Sequence, residues 1–231
     1  MSSIDRKLQE VKRRVANACA LAGRDANKVT LLAVSKKHPA SAVRAAVTAG
    51  QQAFGENYVQ EGLAKIEALA DLRPAIEWHL VGPLQSNKTR AVAEQFDWVH
   101  TVDRLKVAER LAAQRPPALA PLQLLLQVNL DGESSKSGVA PAQVAALAQA
   151  VAALPPQRVR LRGLMSIPAP TADPQRQRRS HRALRELLGS LQAQGLALDT
   201  LSMGMSDDLE AAVAEGSTLL RVGTAIFGAR D

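Results

Sequence analysis

Eight short apolar stretches, each closed by polar residues and followed by a helix-like pattern, recur along this chain of 231 residues. They are LLAVSKK (31–37), QQAFGEN (51–57), IEWHLVG (76–82), DWVHTVD (97–103), LLLQVNL (124–130), VRLRGLMSI (159–167), TLSMGMS (200–206) and STLLRVGTAIFG (217–228). Apolar strands alternating with helices argue for a parallel sheet covered on both faces. Eight such units in roughly 200 residues match an α/β fold of the (β/α)8 TIM-barrel type at the compact end of its range. A doubly wound open sheet is the competing architecture, because counting strands does not show closure. No low-complexity segment or linker breaks the pattern, so residues 1–231 read as a single barrel domain.

The intervening segments carry helical periodicity. Ile4, Leu8, Val11, Val15, Ala18 and Ala22 share one face of an extra helix ahead of the first strand, and Gly23 is a reasonable C-cap. Further helices are expected over 39–49 with Pro39 at the first helical position, 58–69, the segment after Ser86, 104–114, 141–153, 177–194 and 207–215. The basic run Arg176 to Glu186 reads as a solvated helix face backed by an inward stripe of Ala183, Leu184, Leu187, Leu188 and Leu191.

Net charge is +7, with a pI near 10.0. That balance suits nucleic acid or anionic small molecules such as phosphate esters. Aromatic-basic interleaving, zinc-ligand spacing and a long basic arm are all missing, which disfavours nucleic acid and a metal. Cys19 is the one cysteine, so no intrachain disulfide forms and a reducing compartment is natural. No run approaches a membrane span and the N-terminus lacks an apolar signal region, so a cytoplasmic protein is expected.

In such barrels the chemistry sits at the C-terminal ends of the strands. Those ends carry Lys36, Glu56-Asn57, His79, Thr101 to Asp103, Asn129, Met165-Ser166, Ser206, and Arg221 with Gly223 and Thr224. Lys36 at the end of a buried strand suits imine chemistry. Desolvation and the Lys37 charge both favour the free amine, although a solvated lysine pair capping a strand fits the same stretch. His79 equally suits a satisfied, partly buried histidine. The last two units offer hydroxyls and backbone amides beside a helix start, which is the composition of a phosphate cradle, although turn chemistry alone also accounts for them. Phosphate in barrels often binds after strands seven and eight, where these segments fall.

A lysine on the first strand opposite a phosphate cradle on the last two is the pairing that pyridoxal phosphate requires. AVSK, FGENYVQE, WHLVGPLQSNK, VNLDGESSKSG, LRGLMSI, SMGMSDD and LRVGTAIFG occur in order across almost the whole chain. In these motifs it resembles the pyridoxal-phosphate homeostasis proteins, which are similar to the barrel domain of bacterial alanine racemases. The resemblance implies a covalent aldimine of pyridoxal 5'-phosphate on Lys36, with Asn57 near the ring and Arg221 facing the pyridine nitrogen. It places Ser206, Gly223 and Thr224 at the phosphate. His79, Met165 and Ser166 complete the set of candidate cofactor contacts.

An arginine stays protonated and disfavours protonation of the ring nitrogen, which weakens the ring as an electron sink. Racemases of this fold tolerate the arginine and add a second base from another domain. This sequence stops at Asp231, soon after the last barrel motif, and Tyr58 gives no sign of facing the cofactor. The expectation is therefore a non-enzymatic protein that stores, buffers or hands over the cofactor in intracellular vitamin B6 homeostasis. A one-domain amino-acid racemase and a lysine-dependent sugar-phosphate aldolase are the competing enzyme readings. Apo-enzymes that use the cofactor are the expected transient recipients, and a monomer is the default. Lys136, in the loop DGESSKSG (131–138), is a candidate acceptor or gate during release, with a plain solvated lysine as the alternative.

Overall fold

A computed structural model describes residues 3–132 and 137–228. Eight parallel strands close on themselves in sequence order. They are β1 Thr30–Val34, β2 Ala53–Glu56, β3 Glu77–Leu80, β4 Trp98–Val102, β5 Leu122–Gln127, β6 Val159–Met165, β7 Thr200–Ser202 and β8 Leu219–Val222. The ring closes where β1 pairs with β8, Thr30 opposite Leu219 and Leu32 opposite Arg221. This is a (β/α)8 TIM barrel, and closure decides against the open sheet.

The helices are α1 Ser3–Leu21, α2 Ala40–Thr48, α3 Val59–Ala68, α4 Thr89–Gln95, α5 Leu105–Gln114, α6 Pro141–Ala152, α7 Pro174–Ala193, α8 Leu209–Ala214 and α9 Thr224–Phe227. Leu8, Val11 and Val15 bury one stripe of α1, which packs against α2, α8 and α9. Pro39 is the N-cap of α2 and lies outside its first turn. Helix α7 begins three residues earlier than its apolar periodicity indicates, because Asp173 caps it by accepting from the Gln175 amide and Pro174 suits the first turn. The TAIF segment, expected to continue the last strand, is the short helix α9.

The main core lies between the outer face of the barrel and the helices, with Phe54, Trp78, Phe96, Leu124 and Leu126 fully buried. Two small apolar clusters fill the barrel itself: Leu32, Ala53, Val81 and Leu219 on one side, and Trp98, Leu125 and Met165 on the other. Along α7 the buried positions are His181, Leu184, Leu188 and Leu191; Ala183, expected inward, is exposed. The basic face of α7 is more than a solvated surface. Arg178, Arg182 and Arg185 all converge on Glu215, whose carboxylate is 1% exposed, at 2.8 to 3.0 Å. This clasp ties α7 to the end of α8.

Candidate functional site

Strand β1 ends at Val34, so Lys36 lies in the turn beyond it, half-buried, and not on the strand. The turn is held from below. Ser35 Oγ donates to Glu56 Oε1 at 2.5 Å, and Lys65 Nζ donates to the Ser35 carbonyl at 2.6 Å. Lys65 also pairs with Glu56 at 2.7 Å and Glu61 at 2.8 Å. Glu61 in turn accepts from the Lys37 amide. Lys37 has φ 63°, the one left-handed non-glycine among the described residues, and this bond holds it there. Glu56 therefore serves the turn from the outer side of the barrel. Burial pushes its carboxyl up from the ordinary value, with Lys65 and Ser35 opposing.

Across the ring closure, His38 stacks on Phe227 with ring centroids 5.2 Å apart. A Cβ on Gly223 would come within 3.0 Å of the Val34 carbonyl oxygen. The lysine turn and the Gly223-Thr224 segment are thus neighbours at the β1–β8 seam; the sequence reading had set them opposite each other. Ser206 lies in the neighbouring loop, held by α1 through Arg14 Nη2, which donates to the Ser206 carbonyl at 3.1 Å and pairs with Glu210. Asp208 closes this loop by accepting from the Met205 amide at 2.6 Å and contacting His181 Nε2 at 3.0 Å. Although partial burial works the other way, those two bonds hold its carboxyl below the ordinary value. Gly204 has φ 94°, and a Cβ there would meet Ala212 Cβ at 2.4 Å, so the loop can only take this path with glycine.

Arg221 lies inside the barrel, 5% exposed. Its Nη1 donates to the Ser202 carbonyl and hydroxyl, both at 2.7 Å, and Nη2 donates to the Ser166 carbonyl at 2.8 Å. Both acceptor residues mark C-terminal strand ends, so the guanidinium sits just beneath the mouth. Burial lowers its pKa to about 10. Beside it the Ser166 hydroxyl is buried with no hydrogen-bond partner among the described residues. A buried, unsatisfied hydroxyl is costly and calls for a partner from outside the chain.

On the other side of the mouth, Asn57, Gly82, Thr101, Gln127, Asn129 and Ile167 are among the residues lining a cavity of ≈ 220 Å³. Gly82 permits close approach here, since a Cβ would lie 2.0 Å from the Asn57 carbonyl oxygen. Thr101 Oγ1 donates to the Gly82 carbonyl at 2.8 Å, and Asp103 pairs with Arg104. Met165 is barrel filling, packed with Trp98 and Leu125. His79 is not brought to the mouth: it is fully buried within the barrel and contacts Glu77 and His100. Tyr58 is the N-cap of α3 and 54% exposed. Lys136 lies outside the described residues.

A larger cavity of ≈ 1320 Å³ opens at the opposite, N-terminal face. Its charged lining is mostly committed to the protein itself. Arg73 pairs with Asp97 at 2.8 Å, Arg115 donates to the carbonyls of Ala93, Phe96 and Ala120, and Arg162 pairs with Asp199 at 2.7 Å. The unsatisfied hydroxyl and the anchored lysine turn are at the C-terminal mouth.

Residues 7–231 match the family model for the alanine racemase N-terminal domain. The chain is 58% identical over its whole length, and over 97% of the relative, to the pyridoxal phosphate homeostasis protein of Pseudomonas aeruginosa. It belongs to the pyridoxal phosphate homeostasis protein family. The member from Escherichia coli K12 is 53% identical, with 100% of this chain and 98% of that protein aligned. A solved structure, PipY of Synechococcus elongatus with PLP bound, superposes with a TM-score of 0.84 at 41% identity, covering 98% of this chain and 100% of that one. Alanine racemase from Corynebacterium glutamicum shares the barrel alone, with a TM-score of 0.66 at 18% identity over 96% of this chain and 62% of that one.

Residues that hold the site together were the ones sequence reading missed. Lys65 and Glu61 follow the strand-end pair Glu56-Asn57 on α3, four positions apart on one helical face, and that spacing was the available signal. His100 sits in the middle of β4 and Ser202 closes β7, where inward-facing polar residues are visible only once the barrel register is known.

Proposed function

We propose that the C-terminal mouth binds pyridoxal 5'-phosphate through Lys36, and that the protein keeps and hands over this cofactor without turning over a substrate. The observation that carries the reading is the pairing of a buried, unpartnered Ser166 hydroxyl with the fixed Arg221 guanidinium, next to the seam that carries Lys36. Residues and cofactor fit on each count. The turn over Lys65 presents an amine, and three of the five Arg221 N–H donors are committed to the barrel, which leaves two for a ring nitrogen. We assign the phosphate to Ser206 in the loop after β7 and to Gly223 and Thr224 at the start of α9, where the Gly223 carbonyl takes the amides of Ile226 and Phe227 and the Thr224 amide lies ahead of that turn. Asn57, which lines the mouth cavity, would flank the ring, and Met165 would belong to the apolar packing beneath the site.

Bound pyridoxal phosphate supplies an aldehyde that takes up an amine reversibly and a ring that withdraws electrons. Arg221 donates to the ring nitrogen and keeps a proton off it, so that withdrawal is weak. The names of the relatives support a homeostatic role, and the PLP-bound neighbour supports binding of the cofactor. We take the chain as one domain, monomeric and cytoplasmic, with apo-enzymes as transient recipients. Among the described residues no helix is long and apolar enough to cross a membrane.

Loading purified protein with the cofactor and removing the excess tests this. One equivalent should remain, with an absorption band erased by borohydride. Racemisation of alanine or serine at rates usual for enzymes, roughly 1 to 1,000 per second, would overturn the non-catalytic part. Loss of all cofactor on removal would overturn the binding itself.

A further inference from the structure

A file of polar side chains runs through the barrel from the N-terminal face to Arg221. At its lower end the Glu77 side chain is 49% exposed, and its Oε1 lies 2.7 Å from His79 Nε2. His79 Nδ1 is 2.9 Å from His100 Nε2, and His100 Nδ1 is 3.0 Å from Ser202 Oγ. Ser202 Oγ then accepts from Arg221 Nη1 at 2.7 Å. His79, His100 and Ser202 are all 0% exposed, so water does not compete for the bonds among these three. The His79 ring is also clamped, stacked on Trp98 at 5.2 Å and 6°.

The two ends of the file decide every proton in between. Arginine can only donate, and a carboxylate can only accept. With both rings neutral, His79 carries its proton on Nε2 toward Glu77, and its Nδ1 accepts from His100 Nε2–H. His100 Nδ1 then accepts from the Ser202 hydroxyl, which leaves the Ser202 oxygen to receive Arg221. Each contact holds one proton, and all donors point toward Glu77. Reversing the rings would aim His100 Nδ1–H and Arg221 at the same oxygen and strand the Ser202 proton in a buried site, which is unfavourable. Burial, with the neighbouring Arg221 charge, holds His100 well below its ordinary value and keeps it neutral.

We propose that Glu77, His79, His100 and Ser202 are positioning residues that act as one unit, the carboxylate on one face of the barrel fixing the orientation of Arg221 at the other. This rests on the cofactor reading for its consequence, since Arg221 is the group assigned to the ring nitrogen, but the proton order stands without it.

Two measurements test the relay. Nitrogen-15 spectra of the histidine rings in cofactor-free protein should show His79 and His100 as neutral Nε2–H tautomers. Glu77→Leu should lose that pure tautomer at His100, whereas Glu77→Gln, whose amide oxygen still accepts from His79, should restore it. An Nδ1–H tautomer at His100 in the wild type, or no change in Glu77→Leu, overturns the proposal. Second, Glu77→Leu should weaken pyridoxal phosphate binding about tenfold in the wild-type background and leave it unchanged beside Ser202→Ala, the non-additivity of residues acting through one another. Additive effects of the two substitutions contradict the relay. A wild-type protein that binds no pyridoxal phosphate defeats the cofactor reading, and the tautomer spectra then decide the relay alone.

Discussion

Lys65 Nζ lies 2.7 Å from Glu56 Oε1 and bridges it to the Ser35 carbonyl at 2.6 Å, directly under the turn that carries Lys36. Glu56 is completely buried, so the pair is an ion pair without water to replace either partner. Lys65→Met leaves that carboxylate uncompensated and should cost about 3–5 kcal/mol of unfolding free energy, measured by urea denaturation. A loss below about 1 kcal/mol would mean the turn is held by other contacts.

The Glu215 clasp sets an acid limit. Hydrogen bonds from Arg182 and Arg178 hold its carboxyl below the ordinary value near 4.5, against opposing desolvation. A depressed carboxylate contributes stability that is complete above its unfolded value and lost as pH falls through its folded value. Denaturation midpoints should therefore decline below about pH 4.5, and Glu215→Gln should reduce stability at pH 7 while flattening that acid decline. An acid slope identical in the variant and the wild type contradicts this.

Gly204→Ala forces a Cβ to within 2.4 Å of Ala212 Cβ at φ 94°. Strain and overpacking together should destabilise by about 2–4 kcal/mol and displace the Ser206 loop, so cofactor affinity should fall with stability. A variant as stable as the wild type would show that the loop has another path.

Ser206→Ala combined with Thr224→Ala removes two hydroxyls from the proposed phosphate contacts and leaves the Lys36 turn intact. Charge-assisted hydrogen bonds contribute roughly 1.5–3 kcal/mol each, so the dissociation constant should rise at least about tenfold. Equilibrium titration checks it, and an unchanged affinity places the phosphate elsewhere.

The alternation of eight strands with helices was legible in the sequence because strand burial on both faces writes unbroken apolar runs such as LLLQ in β5, whereas closure of the ring was not, since it rests on the pairing of β1 with β8. What escaped was set by contacts between distant segments. Lys36 reads as the end of a strand, yet β1 stops at Val34 because Ser35 turns to meet Glu56 and Lys65, which lie 21 and 30 positions further on. His79 sits near a strand end and reads as a mouth residue, but strand alternation sends its side chain inward to His100. Thr224 to Phe227 is apolar enough to pass for strand, and the helical turn shows only in its hydrogen bonds, from Phe227 N–H to the Gly223 carbonyl and from Gly228 N–H to the Thr224 carbonyl, both at 2.9 Å. The three arginines that meet Glu215 read as a solvated face because periodicity shows where α7 points and not what lies there.

The central claim is that Lys36 holds pyridoxal phosphate at this mouth. Mass spectrometry of peptides from the loaded, borohydride-reduced protein tests it most directly. One added cofactor should map to Lys36 and vanish in Lys36→Ala, a variant that stays folded because a half-buried turn lysine contributes little packing. A full equivalent of label on another lysine, or retained in Lys36→Ala, would contradict the account.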